Sequence, residues 1–187
     1  MRFAIPGPPA SLWTIGHSTL PIETFVAHLS AKGIGTLVDV RRHAGSKRHP
    51  QFNPPALSAA LAAKSVEYVA MPALGGRREP RPDSRNTNWR NESFRGYADY
   101  METPAFAAAL VDLASAALAS RCAIMCAEAL WWRCHRSLIG DAFKACGTAV
   151  WNVGADGVAT EHPYTSAAQI VAGELTYGRR DDLFGEP

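Results

Sequence analysis

The sequence predicts an α/β protein, a single-domain three-layer sandwich with a mostly parallel central sheet and helices on both faces. Short apolar segments alternate with longer segments of helical period, the pattern of strands joined by helical crossovers. At 187 residues the chain has the size of one ordinary domain and can bury a core. It carries no internal repeat, no low-complexity tract and no sign of a second domain. Residues 1–172 are assigned to that domain. Residues 173–187 lack a period and are expected to form a mobile tail.

Ser11-Leu-Trp-Thr-Ile15 reads as the first strand and runs into the polar turn Gly16-His-Ser-Thr19. Pro21 suits a first helical turn, and Glu23 suits the positive end of the helix dipole. Ile22, Phe25, Val26 and Leu29 then recur at helical spacing, and Gly33 ends that helix. Thr36–Val40 is the second strand, and it spills into the basic loop 41–50. Asn53 caps a helix with Pro54 near its start and Leu57 and Leu61 on one face. Ser65–Ala70 is a third strand. From Met71 to Asn91 no period survives, so a long surface loop is expected. A short helix follows over 93–101, and Thr103-Pro104 starts a longer one with Phe106, Leu110, Leu113 and Ala117 inward. After the central strand and helix come a strand over 148–153, a turn over 154–157 and a hairpin partner over 158–161. A short helix is expected over 166–171.

Net charge is only +2, but it is uneven. Residues 41–100 hold 11 Lys and Arg against 5 Asp and Glu, and the remainder holds 8 against 12. A basic half on a near-neutral chain suggests an anionic ligand. The plainer alternative is that the arginines are solvated or paired with the acidic half. No apolar run approaches a membrane span, and the short, Pro-broken N-terminal stretch is not expected to act as a signal peptide. Four cysteines without a small disulfide scaffold around them fit a reducing compartment, so a cytoplasmic location and no membrane partner are expected.

The stretch with the most chemistry is Cys122-Ala-Ile-Met-Cys-Ala-Glu128, then Ala-Leu-Trp-Trp-Arg, then Cys134-His-Arg-Ser137. The first part reads as a buried strand. Leu138, Ile139, Ala142, Phe143 and Cys146 define one face of a following helix. Cys126 and Glu128 thus leave the carboxyl end of a strand while Cys134, His135 and Arg136 open a helix, at the edge where open α/β sheets bind ligands.

Together with Thr14-Ile-Gly-His-Ser18, Leu37-Val-Asp-Val-Arg41, Ser46, Arg48 and Leu74-Gly-Gly76, the Cys126-Ala-Glu128 and Cys134-His-Arg136 pattern resembles the DUF488 family, a domain of unknown function. The resemblance runs from about residue 12 to about residue 153. It implies a compact cytosolic α/β domain and no particular activity.

Cys134 is the leading candidate nucleophile, since a helix N-terminus beside Arg133, His135 and Arg136 favours the reactive thiolate. Cys126 is a candidate resolving partner. The plainer reading of both is core packing, and Cys122 and Cys146 are read as core. His135 is a candidate acid or base, or a capping residue. Glu128 is either an acid–base partner or, preferably, a salt-bridge anchor for Arg41 or Arg136. Arg41, Arg48 and Arg136 are read as converging on an anion, with His17, Ser18 and Asp39 near the same edge. Asp39 would act as a carboxylate or orient the arginines.

The function expected is an enzyme of unassigned reaction class, using thiol or acid–base chemistry on a phosphorylated or nucleotide-like substrate. The alternative is a non-catalytic nucleic-acid-binding module in which Arg77, Arg78, Arg85 and Arg90, interleaved with aromatics over 77–100, hold phosphates and stack bases. In a third view the aromatics of that loop lie in the core and its arginines in water. No cofactor and no metal are expected. There is no Cys-x-x-Cys pair, no zinc deaminase signature, no P-loop and no Gly-x-Gly-x-x-Gly. Cys126 to Arg133 is one residue longer than the tyrosine phosphatase Cys-x5-Arg loop, which argues against a phosphatase. Partners are therefore limited to an anionic small molecule or nucleic acid, and nothing in the sequence speaks to an oligomeric state.

Overall fold

The computed structural model describes residues 1–5 and 7–178. Its main sheet has six strands: β1 (Ser11–Gly16), β2 (Thr36–Asp39), β3 (Glu67–Ala70), β4 (Cys122–Cys126), β5 (Ala149–Val153) and β6 (Ala159–Glu161). Their order is β3-β2-β4-β1-β5-β6. All neighbours are parallel except β6, which returns antiparallel to β5 as a hairpin. Five α-helices are found among the described residues: α1 (Ile22–Ala31), α2 (Pro54–Ala62), α3 (Glu92–Met101), α4 (Pro104–Ala119) and α5 (Arg136–Ala145).

The central strand explains why its sequence is apolar without alternation. Every residue of β4 is buried. Cys122, Ile124 and Cys126 enter a core with residues of α3, α4 and α5, whereas Ala123 and Met125 enter a second core with residues of α1 and α2. A parallel strand covered on both faces needs apolar side chains in both directions. Helix starts follow their capping chemistry. Asn91 accepts the Ser93 and Phe94 N–H groups at the head of α3, and Thr103 accepts that of Phe106 ahead of Pro104 in α4.

Register brings three strand ends together. Gly16 lies beside Cys126, and Asp39 beside Met125. The His17 N–H reaches the Cys126 carbonyl at 2.9 Å, and the Val40 N–H reaches that of Met125 at 3.0 Å. From β1 the chain crosses by α1 to β2 on one side. The β4–α5–β5 unit carries it to the other side, with α5 on the opposite face from α1. This reversal is a topological switch point, where α/β sheets open a crevice at their carboxyl edge.

Two local expectations are corrected. The short helix expected over 166–171 is a strand, β7 (Gln169–Val171), paired antiparallel with β8 (Glu174–Thr176). Ala172 and Gly173 between them have φ of 50° and 80°, the two left-handed residues of a tight hairpin turn. The expected tail is thus partly built in. Leu175 and Tyr177 are fully buried, and only its residues 179–187 lie outside the described residues. The loop 71–91 is tied down by one buried carboxylate. Asp99 of α3 accepts the Arg81 N–H, the Ser84 hydroxyl and the Asn86 amide. Among the described residues no single helix is long and apolar enough to cross a membrane; α3 and α4 pass that test only as a pair, bent by 80°.

Candidate active site

β4 ends at Cys126. The chain turns through residues 127–130, makes a short 3-10 turn over Trp131–Arg133, and presents Cys134 and His135 immediately before α5. The loop closes on itself, so that the Cys126 and Cys134 sulfurs lie 2.7 Å apart, both as free thiols. Gly16 makes room for this turn: a Cβ there would sit 1.8 Å from the Glu128 carbonyl oxygen.

Arg136, the first residue of α5, is 1% exposed and points back beneath the thiols. Its Nε donates to Cys126 Sγ at 3.1 Å, Nη2 to the Glu128 carbonyl at 2.6 Å and Nη1 to Thr14 Oγ1 at 3.2 Å. Because a guanidinium only donates, the Thr14 hydroxyl accepts from it and passes its own proton to Asn152 Oδ1 at 2.9 Å. The Asn152 amide donates to His162 Nδ1 at 3.1 Å, so the His162 proton sits on Nε2 and faces Asp141 Oδ1 at 3.1 Å. Asp141 also accepts the Thr165 N–H and hydroxyl and the Tyr177 hydroxyl. Every link runs one way, from guanidinium to carboxylate, through residues that are at most 2% exposed from Thr14 to Asp141. Such a satisfied buried network holds Arg136 in one position.

His135 has an equally determined tautomer. Its Nε2 lies 3.2 Å from the Val40 carbonyl, an acceptor only, so Nε2 carries the proton. Nδ1 is then a free lone pair, 3.5 Å from Cys134 Sγ. Burial holds the imidazole below its usual pKa, so it is neutral at pH 7 and able to take a proton. Gly76 backs onto this ring: a Cβ there would lie 2.8 Å from Nδ1.

The two thiols share charge unequally. Burial, reinforced by the hydrogen bond it shares with Cys134, pushes the Cys126 thiol far up. Burial also opposes a thiolate at Cys134, but the hydrogen bond from Cys126 and the positive Arg136, whose backbone N–H opens α5, bring it down to about 6. As a unit the pair gives up its first proton readily and holds the second. Burial likewise opposes the charge on Arg136, and the adjacent sulfurs outweigh it.

Both thiols and His135 face a cavity of about 530 Å³ whose mouth carries Arg42, Arg77 and Arg133. These three arginines are exposed, and among the described residues none forms an ion pair. Arg77 is held with φ 60°, its carbonyl accepting from the Arg42 guanidinium at 2.9 Å. The arrangement gathers two thiols of unlike acidity, a neutral imidazole and a cationic rim.

Placement of the other expected residues is mixed. Arg41 lines the cavity, but its guanidinium is clamped by Asp39 through Nε at 2.9 Å and Nη2 at 2.6 Å, and by the Phe52 carbonyl. Asp39 therefore orients Arg41, with the Tyr68 hydroxyl as a further donor. His17 accepts from Arg41 Nη1 on Nε2 and donates from Nδ1 to the Ser18 carbonyl; burial brings its pKa down to about 4. Ser18 sits at that strand end with φ 45°. Arg48 is exposed and is not among the cavity residues, so Arg41, Arg48 and Arg136 do not converge. The expected salt bridge from Glu128 to Arg41 or Arg136 is not formed: Arg136 donates instead to the Glu128 backbone carbonyl, and the Glu128 carboxylate accepts the Leu130 N–H.

Of the loop arginines, only Arg77 joins this cavity. Arg78 covers the Tyr100 ring at 3.7 Å, and Arg85 and Arg90 are exposed elsewhere. The aromatics of the loop face inward. Trp89 stacks on Phe94 at 4.7 Å, and both pack with Tyr97 and Tyr100 on the core. Among the described residues no cluster of three or more His, Cys, Asp or Glu is gathered as a metal site.

Sequence reasoning did not find Thr14, Asn152, His162 or Asp141, which come from four separate elements or loops. It also passed over Arg42, a rim cation with no ion-pair partner among the described residues. The available signal was the polar residue on an apolar element face: Asp141 interrupts the buried face of α5, and Thr14 and Asn152 interrupt β1 and β5.

The fold and this site define a mostly parallel α/β protein with a buried thiol pair at its carboxyl edge. The chain belongs to the family described as Domain of unknown function DUF488, whose model matches residues 21–143, from α1 through most of α5. That span includes both cysteines, His135 and Arg136 and leaves out His17 and Ser18. Comparison with curated proteins and with solved structures finds no match.

Proposed function

We propose that the chain is a cysteine-dependent enzyme acting on a small anionic substrate at the carboxyl edge of its sheet. The observation that carries this reading is the thiol pair itself, 2.7 Å apart, facing a cavity and seated on a buried guanidinium. Cys134 is the nucleophile and His135 Nδ1 the proton acceptor; Arg136 is a positioning and charge-stabilising residue. Arg42, Arg77 and Arg133 hold the acidic groups of a phosphorylated, nucleotide-like or carboxylated substrate. An apolar core on each face of the sheet supports the three-layer sandwich, and the free thiols suit a reducing cytoplasm. A nucleic-acid surface along 77–100 has less support, because its aromatic faces are used within the protein.

The test is site-resolved alkylation of the native protein across pH. Cys134 should react with a midpoint near 6 and be protected by a phosphorylated or carboxylated ligand that fills the cavity. Four cysteines that stay inert until the protein unfolds would refute the reading.

A further inference from the structure

We propose that Cys126 and Cys134 form a two-electron dithiol–disulfide couple, and that the substrate class is a disulfide carrying acidic groups. The proposal rests on the thiolate reading above and deepens it. Attack on phosphorus or carbon needs one thiolate, and there the second thiol would serve only as a hydrogen-bond donor to it. A second thiol has a covalent role when the adduct on Cys134 is itself a disulfide, because Cys126 can then attack the Cys134 sulfur. The two sulfurs are in direct contact, so little movement separates them from bonding distance.

The donors are arranged for that second step. Arg136 Nε and the Glu128 N–H both point at Cys126 Sγ, at 3.1 and 3.3 Å. While Cys134 is a thiolate, the Cys126 S–H donates to it. Once Cys134 is capped, that acceptor is gone, and the same two donors stabilise a thiolate on Cys126. The exposed guanidiniums of Arg42, Arg77 and Arg133 select a substrate with carboxylates or phosphates.

The electrons and protons balance as follows. The Cys134 thiolate attacks one sulfur of R–S–S–R′; the substrate S–S bond breaks and R′S⁻ leaves. R′S⁻ takes up the proton that Cys126 releases. The Cys126 thiolate attacks Cys134 Sγ and expels RS⁻. The substrate gains two electrons as RS⁻ and R′SH, and the protein is oxidised to the Cys126–Cys134 disulfide. A dithiol reductant, or two equivalents of a monothiol, restores it.

The test uses the intact protein with oxidised glutathione, an anionic disulfide, against hydroxyethyl disulfide, an uncharged one. Products are trapped by rapid alkylation and mapped by peptide mass spectrometry. Wild type should yield the Cys126–Cys134 cross-link, faster with the anionic probe. Cys126→Ala should lose the cross-link and accumulate a mixed disulfide on Cys134, and Cys134→Ala should lose both. Wild type that stops at a stable mixed disulfide on Cys134 overturns this proposal while leaving the thiolate reading intact. No reaction at Cys134, together with no low-pH alkylation there, overturns both. Because these outcomes are read in wild type, they do not depend on the variants folding.

Discussion

Replacing Arg136 by Met removes the charge that keeps Cys134 ionised while filling a similar buried volume. Cys134 titrates at about 6 against an ordinary thiol value of 9.0. The hydrogen bond from Cys126 survives the substitution, but burial, the largest influence on Cys134, outweighs it, so 9.0 is the lower limit of the change. At pH 7 the thiolate fraction would fall from about nine-tenths to about one-hundredth at that limit, roughly ninetyfold. A more basic thiolate is also a better nucleophile, by about 16- to 30-fold over three pKa units at a Brønsted slope of 0.4–0.5. The two effects oppose each other, and the alkylation rate at pH 7 should drop by as little as about three- to sixfold at that limit. A rate at one pH is therefore a poor readout. The informative assay is the pH profile of iodoacetamide labelling at Cys134, with urea unfolding run alongside to confirm the fold. The midpoint should move from about 6 to 9 or above, with a higher plateau at alkaline pH. A variant that is folded and keeps the wild-type midpoint would refute the role given to Arg136, and with it the account of why Cys134 is acidic.

Three further outcomes are expected. In Gly76→Ala, the new Cβ would approach His135 Nδ1 to 2.8 Å, so the ring must shift from its present position. Overpacking of this kind costs about 1–3 kcal/mol, and two-dimensional NMR of the His135 ring should show loss of the Nε2–H tautomer. Asp141→Asn weakens the acceptor for four donors in a buried site and should destabilise by about 1–3 kcal/mol in urea unfolding; a loss under 1 kcal/mol would show that the network from Arg136 ends elsewhere. His17 is neutral when folded, its pKa held at about 4 by burial, against 6.5 when exposed. Unfolding therefore takes up a proton below 6.5, and this contribution to stability is complete above 6.5 and is lost as pH falls toward 4. His17→Leu should flatten the acid slope of stability in that window, and an unchanged slope would count against the buried neutral form.

The strands, the helices and the two cysteines at the carboxyl edge were legible in the sequence, because each depends on neighbours a few residues away. Hydrophobic period, Pro and Asn at helix starts and an unbroken apolar run are local signals. They located β4, α4 and α5 and put Cys126 and Cys134 on the two sides of one turn. The β7–β8 hairpin was not legible, since its three-residue strands are too short to show alternation and its turn depends on Ala172 adopting a left-handed conformation.

Partners of the charged side chains were decided by the tertiary structure alone. Arg41 and Arg136 both carry guanidiniums at strand or helix ends, and sequence treated them alike. In the fold, one is clamped by Asp39 two residues away and the other lies under the thiols, committed to a chain that ends at Asp141. That chain exists because β4 inserts between β1 and β2 while β5 takes the far side of β1, bringing Thr14, Asn152 and His162 into line with the start of α5. Periodicity tells which face of an element is buried. It does not tell which buried polar group will meet another across a sheet, because strand order and register arise from the packing of the whole chain.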